Sequence, residues 1–389
     1  MSGEDVTATV DPALVEDLRS RAVIETVGGD ELPGERDLRE AVRRLLDADR
    51  TILPRSETDA VEQAVVDAAL GLGPLEPLLR DPAITEVMVS RPDRVFVERD
   101  GRIRPTRVRF HDDAHLLHVI DRILAPLSRR VDEASPMVDA RLPDGSRVNV
   151  VIPPLAVDGP ALTIRRFGER HIHADDLVDL GTIDRRGLDL LRAAVEDRRN
   201  ILVTGGTGTG KTTTLAAIAG FIPDDQRVVT IEDAAELALG RNHVVRLESR
   251  PPSLEGRGAV GIRALVRNAL RMRPDRIIVG EVRGGEALDM LTALTTGHAG
   301  SLSTVHASSP DEALRRLVTL ALMGDLDLPH GAVAEQVAGA IDLIVHQVRA
   351  PDGSRRISCI AEVGGGATGL SSRWIARCGA TGFEHRGAR

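Results

Sequence analysis

The stretch that decides the fold of this chain reads Gly205-Gly206-Thr207-Gly208-Thr209-Gly210-Lys211-Thr212. Its glycines allow the tight, left-handed turns that other residues resist. Residues 200–204 before it form a short apolar run that suits a buried parallel strand, and Thr213 to Ala219 after it favour a helix. The sequence therefore predicts a strand, a glycine-rich turn and a helix within an α/β domain.

This pattern is typical of a loop that binds phosphate. Glycines let backbone N–H groups point at phosphate oxygens, and the first turn of the following helix adds the positive end of its dipole. We predict that ATP binds to residues 205–213, with Thr213 included. Lys211 is expected to contact the β- and γ-phosphates, and the Thr212 hydroxyl is expected to hold Mg²⁺.

The lysine of this loop is unusual in the chain as a whole. Of 50 basic side chains, 49 are arginine and Lys211 is the single lysine. Arginine carries a planar fork of donors, whereas lysine is a compact charge on a slim stem. Since the chain uses arginine wherever positive charge alone suffices, we predict that arginine cannot replace Lys211.

Two apolar runs further along the chain end in carboxylates, at Glu232-Asp233 and at Gly280-Glu281. Parallel sheets present ligands at the carboxyl ends of their strands, so both clusters are expected to face the nucleotide. We predict that Glu281 polarises the attacking water and also contributes to the Mg²⁺ site. Glu232 is expected to have a second role at Mg²⁺ or the water, and a solvated or helix-capping carboxylate remains the alternative for Asp233.

Two histidines, His298 and His306, flank a short strand-like segment. No cysteine or carboxylate accompanies them at the spacing of metal ligands, so a zinc site is not expected. His306 at a strand end is predicted to sense the γ-phosphate. A structural histidine is the alternative.

Taken in order, these four elements resemble the Walker A, Asp box, Walker B and His box of the type II and type IV secretion ATPase superfamily. The resemblance extends from about Gly71 to about Val363, roughly three quarters of the chain. Gly280-Glu281-Val282-Arg283-Gly284-Gly285-Glu286-Ala287 is similar to the Flp/Tad pilus (CpaF-like) and conjugation branch, and the four-cysteine subdomain of type II motors is missing. Ser308 and Ser90-Arg91 depart from the family pattern.

The resemblance implies an architecture and a set of partners. A RecA-like P-loop NTPase domain, mostly parallel sheet flanked by helices, is expected at 182–363. It follows a smaller α+β, PAS-like domain at 61–167 and a linker at 168–181. Family members are ring hexamers at the cytoplasmic face of the membrane that act with inner-membrane platform proteins of a pilus or secretion system. Their cargo is pilin, protein or DNA.

In this family, arginines of the N-terminal domain also bring positive charge onto the phosphates. Arg147, Arg165 and Arg166 match those positions, with surface arginines as the alternative reading. Residues 1–60 hold 15 acidic side chains against 8 arginines, and their apolar residues recur at helical spacing. This segment is therefore predicted to be a helical extension whose charged surface docks a partner or is simply solvated. The Gly-rich tail at 364–389 is predicted to be disordered.

Composition disfavours other classes of protein. A nucleic-acid motor usually offers a basic groove with stacking aromatics, whereas this chain has a net charge of -9, 2% aromatic residues and no tyrosine. We therefore expect no direct nucleic-acid binding.

No apolar run approaches the ~20 residues of a membrane span, which favours a cytoplasmic protein. The cysteines, Cys359 and Cys378, are expected to be free thiols, and an ATP-binding scaffold without turnover is disfavoured by the intact motifs.

Overall fold

The computed structural model divides the chain into two compact units, Met1–Glu169 and Arg170–Arg389. The division falls within the predicted linker, of which residues 168–171 lie outside the described part, as does Phe167 before them. The structure describes residues 10–26, 34–49, 53–99, 101–166, 172–250, 252, 257–324, 326–366, 369–379 and 382–386.

The first unit begins with three helices, α1 (Pro12–Thr26), α2 (Glu35–Ala48) and α3 (Arg55–Leu70). Their apolar faces share one core, in which Leu18, Leu38 and Val65 are fully buried. The helical prediction for the N-terminal extension therefore agrees with the described residues. Its boundary at residue 60 falls inside α3, because the helical pattern of apolar residues continues through Val61 and Val65 to Leu70.

The rest of the first unit is an antiparallel sheet with helices. Its elements are α4 (Glu76–Arg80), β1 (Ile84–Arg91), β2 (Arg94–Arg99), β3 (Arg102–Pro105), α5 (Asp113–Leu124), β4 (Met137–Arg141), β5 (Arg147–Val151) and β6 (Ala161–Arg165). Alternation of apolar and polar residues produces the strands, as in β5, where the buried Val148 and Val150 alternate with exposed residues. The sheet order is β3-β2-β1-β6-β5-β4.

The second unit is built on a nine-stranded sheet in the order β15-β14-β13-β12-β7-β11-β10-β8-β9. Strands from β12 to β9 in that order are parallel, and the helices bury apolar residues on the two faces of the sheet. This architecture confirms the predicted α/β domain. Its elements are α6 (Asp176–Asp179), α7 (Arg185–Glu196), β7 (Ile201–Gly205), α8 (Lys211–Ala219), β8 (Val228–Glu232), β9 (Val244–Glu248), α9 (Ile262–Ala269), β10 (Arg276–Val279), α10 (Glu286–Thr295), β11 (Leu302–His306), α11 (Pro310–Leu322), α12 (His330–Ala340), β12 (Leu343–Arg349), β13 (Arg355–Gly366), β14 (Gly369–Gly379) and β15 (Gly382–His385).

The predicted disorder of the tail is wrong for its described residues. Strands β13, β14 and β15 extend the sheet by antiparallel pairing. Ala376 of β14 is fully buried, and the Trp374 ring lies beneath the guanidinium groups of Arg377 and Arg386. Glycine content suggested disorder, but antiparallel pairing between consecutive strands satisfies the backbone of this segment.

Two further sequence predictions concern bulk properties. Cys359 and Cys378 are free thiols, as expected. Among the described residues, none of the helices combines the length and the apolar character that crossing a bilayer requires.

A buried arginine holds the ends of the central strands in place. Arg276 at the start of β10 is fully buried, and its guanidinium donates hydrogen bonds to Gly300 O at 2.8 Å, Val195 O at 2.9 Å and Gln226 Oε1 at 2.7 Å. Burial lowers its pKa to about 10. Gly300 adopts φ +85°, and a Cβ there would lie 1.8 Å from Arg276 Nη1. The Gly of the His-containing segment thus makes room for this arginine before β11 begins.

Candidate nucleotide-binding site

The glycine-rich turn has the backbone geometry that the sequence predicts. It connects β7 to α8, and Gly205, Gly208 and Gly210 have φ values of +154°, +71° and +91°. A Cβ on Gly205 would lie 2.2 Å from the Gln347 carbonyl oxygen of the neighbouring strand β12. The Thr209 hydroxyl donates to Gly206 O at 2.9 Å. The turn is therefore a preformed cradle at the N-terminus of a helix, which fits a polyphosphate.

Lys211 begins α8 and is 7% exposed. Its Nζ donates to Gly206 O at 2.9 Å and lies 3.2 Å from His306 Nε2. Burial lowers the pKa of Lys211, and the nearby Glu281 carboxylate opposes that shift. The amine is thus held across the mouth of the turn, where a phosphate oxygen can replace the Gly206 carbonyl.

Glu281 lies just after β10 and contacts two partners. Its Oε1 is 3.2 Å from His306 Nε2, and its Oε2 accepts a hydrogen bond from Arg283 Nη2 at 2.7 Å. Burial acts to raise the pKa of Glu281, but the Arg283 hydrogen bond and the positive charges nearby outweigh it and lower that pKa. The carboxylate is therefore ionised at neutral pH and suited to accept a proton or orient a water.

His306, the last residue of β11, joins Lys211 to Glu281. Burial lowers the pKa of its ring, and the charge of Lys211 lowers it further. A neutral ring with its proton on Nε2 donates to Glu281 Oε1 and leaves Nδ1, 3.5 Å from Lys211 Nζ, as an acceptor. Since β7, β11 and β10 are adjacent in the sheet, three of the four predicted motifs meet at their carboxyl ends.

Glu232 does not join this chain of contacts. Its carboxylate is 4% exposed and accepts hydrogen bonds from the backbone N–H groups of Glu236 and Leu237, each at 3.0 Å. Burial raises its pKa to about 7, partly offset by those two hydrogen bonds. A Cβ on Gly280 would lie 2.7 Å from Glu232 Cγ, so Gly280 provides the space for this side chain. The carboxylate thus holds the backbone of the following loop, and the role of Glu232 at Mg²⁺ or the water stays a prediction.

The three predicted arginines lie in the first unit. Arg147 and Arg165 are exposed register partners on β5 and β6, so their side chains share one face of the sheet. Arg166 donates to the carbonyl oxygens of Asp81 and, at 3.2 Å, of Ile84. Arg166 is thus engaged by its own unit, and the roles of Arg147, Arg165 and Arg166 at the phosphates stay predictions.

The residues expected to hold Mg²⁺ could supply only one or two protein ligands. Within the described ranges, no group of three or more His, Cys, Asp or Glu side chains could hold a metal ion. Thr212 lies in the first turn of α8 next to Lys211, and the ionised Glu281 contacts His306 at the same end of the sheet. Magnesium is commonly bound in this way, by one or two protein oxygens together with phosphates and waters.

Two residues of the site had no predicted role. Arg283 holds the Glu281 carboxylate and lies 3.8 Å from Asp233, so it links two of the motifs. The sequence could have indicated Arg283 by its place within the Gly280–Ala287 stretch. Gln347 on β12 is buried and accepts a hydrogen bond from the Thr214 hydroxyl of α8 at 2.9 Å. Nothing local in the sequence marks Gln347, because its partner is 133 residues away.

Comparison with known proteins gives a consistent result. The family model described as "Type II/IV secretion system protein" matches residues 68–385. A Mycobacterium tuberculosis (H37Rv) protein whose name describes it as a conjugal transfer protein is 42% identical over 297 residues, which are 75% of this chain and 84% of the relative. The type IV secretion system protein PtlH of Bordetella pertussis is 38% identical over 322 residues, 76% of this chain and 94% of that protein.

A solved structure shares the fold. The ATPase DotB of Legionella pneumophila superimposes with a TM-score of 0.51 at 24% identity, over 72% of this chain and 76% of that one. At this identity the similarity concerns the fold alone.

Proposed function

Because this chain belongs to the type II/IV secretion system protein family, we propose that it binds and hydrolyses ATP to drive a secretion or pilus-assembly machine. The observation that carries the proposal is the continuous chain of contacts from Lys211 through His306 to Glu281, beside a preformed phosphate cradle. The family is named for type II and type IV secretion systems, and this arrangement supplies the charge, the sensor and the base that ATP hydrolysis needs.

The proposed roles follow from the contacts. Lys211 exchanges the Gly206 carbonyl for a phosphate oxygen, so nucleotide binding frees the amine from the loop. Glu281, kept ionised by Arg283, accepts the proton of the attacking water. His306 touches both groups, so movement of Lys211 towards phosphate changes the hydrogen bond that orients Glu281. Mg²⁺, held by the Thr212 hydroxyl and the phosphates, would neutralise charge that develops during phosphoryl transfer.

For the cargo, we favour assembly of a Flp/Tad-type pilus or protein secretion across the inner membrane. The Gly284-Gly285 pair after the Glu281 strand end supports this branch, as do only two cysteines in the whole chain. We propose that the protein forms a homo-hexameric ring that is peripheral to the inner face of the membrane. Its partners would be inner-membrane platform proteins. We further propose that Arg147 and Arg165 add positive charge at the phosphates of a bound nucleotide.

A conjugation or type IV secretion ATPase is the second candidate. The names of the M. tuberculosis and B. pertussis relatives favour it. The two candidates differ in phenotype, since deletion of the gene abolishes surface pili in the first case and DNA transfer in the second. Loss of transfer with normal pili would reject the pilus assignment and leave the ATPase proposal intact.

The enzymatic test compares wild-type protein with Glu281→Gln in a magnesium-dependent ATPase assay. Removing a general base lowers kcat by ~10²-fold or more while nucleotide binding persists. Glu335→Gln is the matched control, because Glu335 is an exposed residue of α12 and the charge change is the same. Equal, near-zero rates for wild type and Glu281→Gln would reject hydrolysis and favour an ATP-binding scaffold. Tight DNA binding in a filter assay at moderate salt would favour a nucleic-acid motor instead.

A further inference from the structure

The hairpin between β12 and β13 lies directly beside the phosphate cradle. Strand β12 is the parallel neighbour of β7, with Gln347 in register with Gly205, so both strands end at the same edge of the sheet. The chain then turns back at residues 350–354, and Arg349 pairs with Arg355 across the hairpin. The pair thus stands at the base of the hairpin, next to the loop at 205–212.

Side chains of this hairpin lie beside the glycines of the loop. A Cβ built on Gly208 would lie 3.6 Å from Arg349 Nη1, and one on Gly210 would lie 3.1 Å from Arg355 Cδ and 3.8 Å from its Nε. Gln347 lies two residues before Arg349, on the same face of β12. Its Nε2 would lie 3.4 Å from the Cβ built on Gly210. Gln347 is buried, whereas both arginines are exposed. The two arginine side chains therefore border the loop from the solvent side.

We propose that Arg349 and Arg355 bind the phosphates of the nucleotide held by the loop. This inference rests on the proposed function and deepens it. A nucleotide di- or triphosphate carries several negative charges, and Lys211 is the only cation that the loop itself supplies. Guanidinium groups are suited to such a ligand because they donate paired hydrogen bonds to phosphate oxygens and keep their charge at any physiological pH.

Their place in the second unit distinguishes these arginines from Arg147 and Arg165. Arg349 and Arg355 are attached to the same sheet as the cradle, so their contribution does not depend on the first unit or on a neighbouring subunit. They should therefore strengthen the binding of ADP as well as ATP. The binding should also weaken with added salt, because the interaction is between exposed charges.

The test is a binding titration of the full chain with fluorescent ADP and ATP analogues at two salt concentrations. We expect Arg349→Gln and Arg355→Gln each to weaken both analogues about tenfold, and the double variant to weaken them up to about 100-fold. The salt dependence should become shallower, and replacing both arginines by lysine should restore part of the affinity. Arg356→Gln is the matched control, because Arg356 is equally exposed on β13 but pairs with Val348 on the opposite face.

Each outcome decides a separate point. If the wild type and Lys211→Ala both fail to bind nucleotide, the proposed function is wrong and this inference fails with it. If the wild type binds, Lys211→Ala loses binding and the double arginine variant binds like the wild type, this inference alone is overturned. An equal loss in Arg356→Gln would also overturn it, since net surface charge would then explain the effect. Thermal melts of the single variants show whether each remains folded.

Discussion

Replacement of Lys211 by arginine tests whether the loop needs a compact charge. The side chain is 7% exposed, with Nζ 2.9 Å from Gly206 O and 3.2 Å from His306 Nε2. A guanidinium is wider and longer than an ammonium, so it cannot occupy this position unless Gly206 or His306 moves. Loss of one charge-assisted hydrogen bond to phosphate costs about 1.5–3 kcal/mol, which corresponds to about 10- to 150-fold in rate.

The assay is steady-state ATP hydrolysis with magnesium, together with a thermal melt of each variant. We expect Lys211→Arg to lose nearly as much activity as Lys211→Ala and to remain folded. Arg315→Lys, an exposed position on α11, is the matched control for exchange of the two basic residues and should keep full activity. A turnover rate for Lys211→Arg equal to that of the wild type would refute the reasoning, even though the protein would still be an ATPase.

Two further predictions concern Glu232 and its surroundings. Burial raises the folded-state pKa of Glu232 from 4.5 to about 7, so its contribution to the free energy of unfolding is present below pH 4.5 and is lost as pH rises towards 7. Urea unfolding at several pH values should show that the free energy of unfolding falls over this pH range in wild type and not in Glu232→Gln. The same pH dependence of the free energy of unfolding in both proteins would contradict this prediction. Gly280→Ala should destabilise the second unit by about 1–3 kcal/mol, because the new Cβ would lie 2.7 Å from Glu232 Cγ. Gly331→Ala on α12 meets nothing within 4 Å and should be neutral or stabilising in the same melt, whereas equal effects at the two glycines would reject the steric explanation.

Much of the fold could be predicted from local patterns. The apolar run before Gly205, the spacing of the glycines and the helix after Lys211 all depend on backbone preferences within a few residues. The order of four motifs indicated the family, and the family match over residues 68–385 confirms it. The tail was wrongly predicted to be disordered because its glycine content does not reveal that β13 and β14 pair with each other.

The site could be predicted only in part. A strand-end position places a carboxylate near the ligand edge of a sheet but does not say which way its side chain turns. Glu281 turns towards His306 and Arg283, whereas Glu232, one strand further along in the sheet, turns towards the backbone of its own loop. Arg166 is a similar case, since carbonyl groups of its own unit take its hydrogen bonds.

The amino-acid sequence alone determined the glycine-rich turn, because its backbone angles follow from the glycines within eight consecutive residues. Only the tertiary structure decided which distant groups surround that turn. Lys211 and His306 are 95 residues apart, and Thr214 and Gln347 are 133 residues apart. The strand order β12-β7-β11-β10 brings these pairs into contact, and that order depends on how apolar faces pack across the whole unit rather than on any local pattern.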